Sequence, residues 1–287
     1  MRFRSAPFAL AALLGGTGCR SALNYSGPDG PRYVGGVEPV RPALSFHGAT
    51  PDSIRIVTFN IKFAQHVDRA AALLQSTREL HPADIVTVQE MDEPGVRALA
   101  AALGMSYVYY PATVHPQTGR DFGNAVLSRW PITGDRKVIL PHLGRWERTE
   151  RAAVGATILV GATPIRVYSV HLGTPLEIGP GGKRDQVRAV LRDAVAYSRV
   201  VIAGDMNGQS IGREFVAHGY RWPTEHEGPT SSFFSFDHIF LLGLGDHAHT
   251  GVTRDALQAS DHRPVWATIA LGPDLPRSFT QSSGTGP

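Results

Sequence analysis

The sequence predicts an α/β domain with mixed sheets, and three observations support this fold class. Short apolar runs rich in β-branched residues, such as residues 200–203, are typical of buried strands. They alternate with amphipathic segments at helical spacing, such as residues 67–80. Between residues 152 and 170 two strand-like runs follow each other directly, which argues against a purely parallel sheet.

Length and composition are those of a globular protein. The chain has 287 residues, of which 42% are hydrophobic and 18% charged, so it can bury a sizeable core. Its single cysteine, Cys19, excludes an intrachain disulfide framework and a cysteine-ligated metal cluster. Without Arg2 and Arg4, which lie in a predicted leader, 26 basic side chains face 25 acidic ones. Overall charge therefore gives no argument for nucleic-acid binding.

The first 19 residues have the layout of a bacterial export signal. A basic start precedes an apolar segment over residues 6–14 and a run of small residues. Small residues directly before Cys19 resemble a lipoprotein processing site. We expect Cys19 to be acylated and to tether the exported protein to a membrane, and the alternative is a periplasmic or secreted protein without a lipid.

The rest of the chain divides into three parts. Residues 20–49 are rich in Gly, Pro and Ser and are predicted to form a flexible tether, or else an arm packed on the domain through Tyr33 and Val34. Residues 50–272 form the predicted domain, and residues 273–287 a disordered tail.

In the first half of the domain, each predicted element has a local signal. Ile54 and Ile56 alternate along the chain and predict a strand. The apolar stripe between residues 67 and 80 predicts a helix that ends before Pro82. The elements predicted here are strands over residues 53–60, 85–88, 107–110 and 123–128 and helices over residues 67–80 and 95–103.

In the second half, glycine and proline mark the boundaries. Residues 173–182 contain four glycines and two prolines and are predicted to form a long irregular loop. Val187, Val190 and Leu191 share one side of the helix predicted after it. The elements predicted here are strands over residues 137–140, 152–160, 165–170, 200–203, 236–241 and 265–271 and a helix over residues 183–197.

Polar residues stand at the ends of several predicted strands. Strand ends gathered at one side of a sheet are where α/β proteins build their sites. We therefore expect these side chains to converge: Asn60, Glu90, His171 and Asp205 at carboxyl ends, and Asp261 and His262 before the last strand.

Asp205 and Asn207 lie two positions apart after the strand over residues 200–203. Alternate residues of an extended chain face the same way, so both side chains could point at one spot. A carboxylate beside an amide suits the activation and placement of a water molecule. The alternative is an Asx turn that merely ends the strand.

Seven short segments occur in the order seen in the endonuclease/exonuclease/phosphatase family, which the chain resembles over residues 53 to 271. The segments are TFNIK at residues 58–62, VQE at 88–90, GNAVLS at 123–128, VHL at 170–172, GDMN at 204–207, FDHI at 236–239 and SDHRP at 260–264. The resemblance implies a DNase I-like, four-layer αββα sandwich of two mostly antiparallel sheets with helices outside.

The resemblance also implies a divalent metal and an activated water. Glu90 is similar to the main metal ligand, Asn60 to a neutral oxygen ligand of the same ion, and Asp261 to a third, nearby acid. Mg²⁺ is the expected ion, with Mn²⁺ or Ca²⁺ as alternatives. Asp205 matches the base that activates water, and Asn207 its neighbour that holds water or phosphate.

Two histidines match the pair that clamps the phosphate. His171 and His262 are expected to offset transition-state charge as imidazolium ions. Asp237 resembles the acid that orients His262. Glu150 resembles the acid that orients His171, and Glu147 is the alternative for that position.

Together these residues predict a metal-dependent phosphoesterase that attacks phosphodiester or phosphomonoester bonds directly with water. Asn124 resembles a phosphate-side or fold-supporting residue. A nuclease is favoured slightly over a sphingomyelinase-, phospholipid- or inositol-phosphate-type enzyme, and an inactive binding module is the alternative of another class. The predicted substrate is DNA, a phospholipid or a small phosphodiester, and the predicted state is a monomer. Five arginines could form either a phosphate-binding face or an ordinary solvated surface: Arg120, Arg129, Arg145, Arg148 and Arg151.

Overall fold

The computed structural model describes residues 22–36, 50–246 and 248–272. The predicted export signal with Cys19, part of the predicted tether and the predicted tail lie outside the described residues. Among the helices that are described, none combines the length and the apolar character that crossing a membrane would require.

All ten predicted strands are confirmed, and their bounds differ by a few residues at the ends. The strands are β1 (Leu23–Asn24), β2 (Tyr33–Gly35), β3 (Ser53–Asn60), β4 (Ile85–Met91), β5 (Ser106–Val114), β6 (Asp121–Ser128), β7 (Ile132–Leu140), β8 (Arg151–Val160), β9 (Thr163–His171), β10 (Val200–Asp205), β11 (Asp237–Leu242), β12 (Ala248–Val252) and β13 (Val265–Ala270). The helices are α1 (Val67–Ser76), α2 (Glu93–Leu103), α3 (Pro175–Ala194) and α4 (Gly212–Ala217).

The loop predicted over residues 173–182 is wrong, because helix α3 begins at Pro175. Thr174 caps it: its hydroxyl accepts from the backbone of Glu177, whose side chain bonds back to the Thr174 backbone. The helix is interrupted at Gly179, where φ is 65°, and continues from Pro180. The glycines and prolines therefore mark a kink between two helical segments.

Two mixed, mostly antiparallel sheets form the centre of the fold. One has the order β1-β5-β6-β4-β3-β13-β12, with β2 also paired to β5. The other has the order β11-β10-β9-β8-β7. Within each sheet one pair is parallel, β3 with β4 and β9 with β10. The expectation of mixed sheets is confirmed.

Apolar side chains fill three interfaces, which gives the predicted four layers. Between the sheets, β-branched residues such as Ile56, Val154 and Ile239 are fully buried. A second cluster, around Leu74, packs the first sheet against α1 and α2. A third, around Phe215, packs the second sheet against α3 and α4. Burial on both faces explains why most strands read as continuous apolar runs.

Residues 22–36 correct the tether prediction. We call this segment the N-terminal strap. Its strands β1 and β2 both pair antiparallel with β5, at the edge of the larger sheet. The side chain of Arg32 makes two bonds to Asp135, at 2.7 and 2.6 Å. The alternative expectation, an arm packed on the domain, describes this segment.

Strand register brings the polar strand ends together. His171 pairs with Asp205, and Asp205 pairs with Asp237 on its other side. In the other sheet, Asn60 lies beside Gln89. Both parallel pairs therefore end at the same side of the sandwich, and the site forms there.

Candidate active site

Asp205 is fixed by the backbone on either side of it. Gly204 precedes it with φ at 146°, and a Cβ there would lie 1.9 Å from the carbonyl oxygen of Val170, so only glycine fits. The backbone N–H of Asn207 donates to Asp205 Oδ1 at 2.8 Å. This contact forms the Asx turn that was the alternative interpretation of the sequence. The other oxygen, Asp205 Oδ2, nevertheless points into the site.

Burial and a neighbouring acid tune Asp205. Its side chain is almost fully buried. Burial raises the pKa of Asp205 to about 6; the Asp237 carboxylate also raises it, while His262 opposes the shift. A carboxylate with this pKa is a stronger proton acceptor than an ordinary aspartate and is still ionised at neutral pH.

Glu90 sits at a break in the strand ladder. The register between β4 and β6 shifts between Val88 and Met91, and Glu90 has a φ of 59°. A positive φ is unfavourable for a residue with a side chain and is concentrated at functional sites. Glu90 Oε2 accepts from the backbone N–H of Phe63 at 3.2 Å, which aims the carboxylate into the cleft. Burial raises its pKa.

Asn60 joins the two carboxylates. Its Nδ2 donates to Glu90 Oε1 at 3.0 Å and to Asp205 Oδ2 at 3.1 Å. Its Oδ1 accepts instead from the backbone N–H of Lys62 at 3.1 Å. Asn60 therefore lies where it was predicted, and its side-chain amide group bridges the two carboxylates.

Asp237 and His262 form a buried hydrogen-bonded pair, as predicted. His262 Nδ1 lies 2.8 Å from Asp237 Oδ2. Thr230 accepts from the backbone N–H of Asp237 and so holds the start of β11. The other ring nitrogen, Nε2, lies 3.8 Å from Asp205 Oδ2. Burial alone lowers the pKa of His262, but Asp237, together with Asp205, outweighs it and raises the pKa to about 10. His262 is thus an imidazolium.

His171 differs, and the expectation of a second imidazolium is wrong. The residue is buried, with Nε2 3.5 Å from Asp205 Oδ2. Arg151 Nη1 lies 2.9 and 3.0 Å from its two ring nitrogens. Burial holds the pKa of His171 well below its usual value, and the charges of Arg151 and His262 act in the same direction. His171 is therefore neutral.

Neither acid proposed as the partner of His171 contacts it. Glu150 is buried, but its Oε2 accepts from the Ser26 hydroxyl at 2.7 Å, below the N-terminal strap. Glu147 accepts from Gln117 at 3.2 Å. Side chains alternate along a strand, so the register at the start of β8 turns Arg151 towards His171 and Glu150 away.

Three other predicted residues have mainly supporting positions. Asp261 is exposed and forms an ion pair with Lys62, from Nζ to Oδ2 at 3.0 Å, at the mouth of the cleft. Asn124 Nδ2 donates to the carbonyl of Ala152 at 2.7 Å and joins the two sheets. Asn207 Nδ2 donates to the carbonyl of Leu172 at 2.8 Å, so Asn207 does not point alongside Asp205. Its φ of 49° ends the extended chain.

Three residues near the site make contacts that were not predicted from the sequence. Arg151 is buried; its guanidinium also contacts Glu177, with Nη2 3.4 Å from Oε2. Gln89 donates to the Ser169 hydroxyl of the other sheet at 2.9 Å. Lys183 is buried, and its Nζ donates to the carbonyl of Asn207 at 2.6 Å. Burial lowers the pKa of Lys183 to about 8, which Asp205 partly opposes. For Arg151 and Lys183, the only signal in the sequence was a basic residue close to an apolar run.

The predicted arginine face is not a continuous cationic surface. Arg120 pairs with Asp92, and Arg129 Nη1 lies 3.8 Å from Asp84. Arg151 is buried in the site. Only Arg145 and Arg148 are both exposed and without an acidic partner among the described residues. For most of these residues the solvated-surface interpretation is the better one.

The donor groups fit a divalent cation at Glu90. Atoms of Asp205, Asp237 and His262 also lie within 4.8 Å of one another. However, an imidazolium has no lone pair to give to a metal. Glu90 is a partly buried carboxylate, with its side chain 16% exposed, and it forms no ion pair with a Lys or Arg among the described residues. An excess of buried oxygen charge is what Mg²⁺ and Ca²⁺ require.

Comparisons with known proteins agree with the fold. The profile of the Endonuclease/Exonuclease/phosphatase family matches residues 57–262. The structure of an endonuclease/exonuclease/phosphatase from Beutenbergia cavernae DSM 12333 is similar, with a TM-score of 0.64 and 22% identity, over 77% of this chain and 72% of that chain. No curated protein matches the chain significantly.

Two further structures carry more specific names. Sphingomyelinase C from Streptomyces griseocarneus has a TM-score of 0.57 and 18% identity, over 76% of this chain and 99% of that chain. The mannosyl-6-phosphatase of Bacteroides thetaiotaomicron VPI-5482 has a TM-score of 0.56 and 17% identity, over 76% of this chain and 100% of that chain. At these identities the likeness shows a shared fold alone.

Proposed function

We propose that this chain, which belongs to the Endonuclease/Exonuclease/phosphatase family, hydrolyses phosphodiester or phosphomonoester bonds by direct in-line attack of water. One observation carries the proposal. The carboxylate of Asp205 and the Asp237–His262 pair lie in one cleft, with Asp205 Oδ2 facing His262 Nε2 at 3.8 Å. A base beside a fixed positive charge is what attack on a phosphate requires.

Each residue has a separate task in this reaction. Asp205, held by the Asn207 backbone, orients water and accepts its proton. His262, charged through Asp237, stabilises the negative charge that grows on the phosphoryl oxygens. His171 is neutral and serves as a hydrogen-bond donor or acceptor. With water as the nucleophile, no covalent enzyme intermediate is needed.

The metal dependence of the reaction is also proposed. Glu90, next to Asn60, would hold Mg²⁺ or another divalent cation, and such an ion when bound would polarise the phosphoryl group and neutralise charge. The fit rests on the partly buried Glu90 carboxylate, which forms no ion pair with a Lys or Arg among the described residues. We expect chelation with EDTA to abolish activity and added Mg²⁺, Mn²⁺ or Ca²⁺ to restore it.

The test of the proposal is release of p-nitrophenol from bis-p-nitrophenyl phosphate, with and without each metal. The His262→Asn variant should lose at least a hundredfold in kcat/KM. His226→Asn is the matched control, because the side chain of His226 is 91% exposed. A purified wild-type protein that shows metal binding but no hydrolysis of any phosphate ester would favour an inactive binding module.

Nucleic acid remains the first proposed substrate, by a small margin. Its support is the phosphodiester chemistry of the site, since the arginine face contributes little. Cleavage of plasmid DNA in the presence of Mg²⁺ would support it, and activity on small diesters without DNA cleavage would oppose it.

A lipid phosphodiester is the second candidate, and an exposed aromatic turn favours it. Phe233 is 91% exposed and Phe234 59% exposed, on a tight turn closed by Ser231. The rings of Phe234 and Phe236 stack with their centroids 5.2 Å apart, and the centroids of the Phe236 and His262 rings are 6.5 Å apart. Exposed apolar side chains beside a cleft suit a lipid tail or surface. The test is hydrolysis of sphingomyelin vesicles. Activity of the wild-type protein that is lost in the Phe233→Ser and Phe234→Ser variants would support this candidate.

Export and lipidation are proposed as well, on the sequence of residues 1–19. Expression in a bacterial host should place the full chain in the membrane fraction, and Cys19→Ser should release it to the soluble fraction. Retention of Cys19→Ser in the membrane would oppose acylation at this residue.

A further inference from the structure

A second cavity lies beside the candidate active site. It has a volume of about 390 Å³ and opens between the start of α3 and the segment that follows β10. Pro180 and Ile211 supply apolar wall, and Asn207 forms part of the lining. Asn207 is also the residue whose backbone N–H holds Asp205. The cavity and the site therefore share one segment of chain.

Three cationic side chains line this cavity. Lys183 is buried, while Arg184 and Arg213 are exposed. Neither arginine pairs with a carboxylate among the described residues. The one acid in the lining, Glu214, already accepts from Arg188 Nε at 2.9 Å. The lining thus carries a net positive charge that the fold does not neutralise.

Lys183 has hydrogen-bonding capacity left over. An ammonium group has three donors, and the carbonyl of Asn207 takes one of them among the described residues. Gly208 leaves room at the same atom, since a Cβ there would lie 2.9 Å from Lys183 Nζ. A small anion in the cavity could therefore receive hydrogen bonds from a buried cation and from two arginine forks.

We propose that this cavity binds a second phosphate group of the substrate, one that is not cleaved. The inference rests on the proposed function and narrows it to substrates with at least two phosphates. Charged oxygens match the three cations, and the apolar wall accommodates the carbon skeleton between the phosphates. Nucleic acids and sugar or inositol polyphosphates both have this chemistry.

The first test measures binding and does not depend on catalysis. The metal-free full chain is titrated with inorganic phosphate and binding is measured by calorimetry. We expect one phosphate site, and the double variant Arg184→Gln, Arg213→Gln should lower its affinity for phosphate at least tenfold. The matched control is Arg78→Gln with Arg192→Gln, which removes two exposed arginines that lie outside the cavity. Equal phosphate affinity in the two double variants would overturn the proposal.

The second test identifies the source of the phosphate. Values of kcat/KM are measured for a short DNA duplex and for a sugar bisphosphate, each divided by the value for bis-p-nitrophenyl phosphate, which has one phosphate. If nucleic acid supplies the second phosphate, the Arg184→Gln, Arg213→Gln variant should lower the relative kcat/KM for the DNA duplex at least tenfold. If a small polyphosphate supplies it, the variant should lower the relative kcat/KM for the sugar bisphosphate at least tenfold.

The two proposals fail in different ways. If neither ratio changes while both substrates are hydrolysed, the second-phosphate site is wrong and the proposed function stands. If no phosphate ester is hydrolysed but the phosphate affinity falls in the variant, the anion site stands and the proposed function is wrong.

Discussion

Two histidines in one cleft differ in charge, because the side chains next to them differ. Burial lowers the pKa of both rings. Beside His262 the Asp237 carboxylate reverses the effect, whereas beside His171 the Arg151 guanidinium strengthens it. The site thus combines one fixed positive charge with one neutral ring. This division of roles follows from single side chains placed within about 3 Å of each ring.

The role of Asp237 in the Asp237–His262 pair can be tested by removing its charge. Asp237→Asn removes the charge that keeps His262 protonated, so kcat/KM should fall about a hundredfold or more. The far-ultraviolet circular dichroism spectrum should stay unchanged. Asp246→Asn is the matched control, since its side chain is 94% exposed. Equal kcat/KM in the two variants would show that His262 does not act through Asp237.

The positions of site residues were predictable where the signal was local. Glu90, Asp205 and His262 stand at the ends of apolar runs, and the structure places all three in the cleft. The partner of His171 was not predictable, because a shift of one residue at the start of β8 exchanges Glu150 for Arg151.

At the scale of elements, the N-terminal strap stabilises the segment that precedes Arg151. Asn24 accepts from the backbone N–H of Glu150 at 2.9 Å, and Ser26 bonds to its side chain. The other carboxylate oxygen, Oε1, is buried without a partner. The Glu150 carboxylate therefore has one side-chain hydrogen bond among the described residues, from Ser26.

Removal of that bond should destabilise the domain. Ser26→Ala leaves the buried Glu150 carboxylate unsatisfied, and we expect the free energy of unfolding to fall by about 1–3 kcal/mol. Urea denaturation measures it. Ser198→Ala, at an exposed loop position, should change it by less than about 0.5 kcal/mol. A Ser26→Ala effect as small as that of the control would mean that the strap is not held through Glu150.

The strap also covers a buried lysine on β7. Lys137 donates to the carbonyl of Tyr25, and burial lowers its pKa from 10.5 to about 8, partly opposed by Glu150. Between these two values the unfolded chain binds a proton that the folded chain does not. The free energy of unfolding therefore rises with pH in this window. Above pH 10 the raised pKa of Tyr25 acts in the opposite direction.

We therefore expect Lys137→Met to reduce the gain in stability between pH 8 and pH 10. The measurement is urea denaturation at several pH values in this range. Lys183 contributes with the same sign, so the gain should shrink and not vanish. Lys62, whose side chain is 42% exposed, is changed to Met as the control. A Lys137→Met protein with the full gain would show that Lys137 is not buried as a cation.

At the scale of the whole molecule, polar side chains join the two sheets next to the site. Gln89 donates to Ser169 across the interface at 2.9 Å, and the Ser169 hydroxyl donates back to the carbonyl of Val88 at 3.0 Å. These groups are fully buried within an otherwise apolar layer. They fix the distance between the two sets of strand ends, and so the geometry of the cleft.

Gln89→Ala should therefore affect the molecule as a whole. Loss of the buried bonds and the resulting cavity should lower the free energy of unfolding by about 2–4 kcal/mol. Thermal and urea denaturation both report it. Gln258→Ala, at an exposed position, should have little effect. Equal stability of the two variants would mean that the sheets do not depend on this network.

Much of the fold was predictable, because strands buried on both faces are visible as apolar runs. The interrupted first part of α3 was not, since Gly179 and Pro180 favour a loop locally while the capping pair of Thr174 and Glu177 starts a helix. The strap was not predictable from its composition either, because its bonds to Glu150 join residues more than 120 positions apart.

We propose that Asp205 activates water for attack on a phosphate ester. The most direct measurement is the rate of p-nitrophenol release from bis-p-nitrophenyl phosphate by Asp205→Asn beside the wild-type protein, at equal stability and saturating Mg²⁺. We expect kcat to fall about a hundredfold to ten-thousandfold. A rate within threefold of the wild type would contradict it.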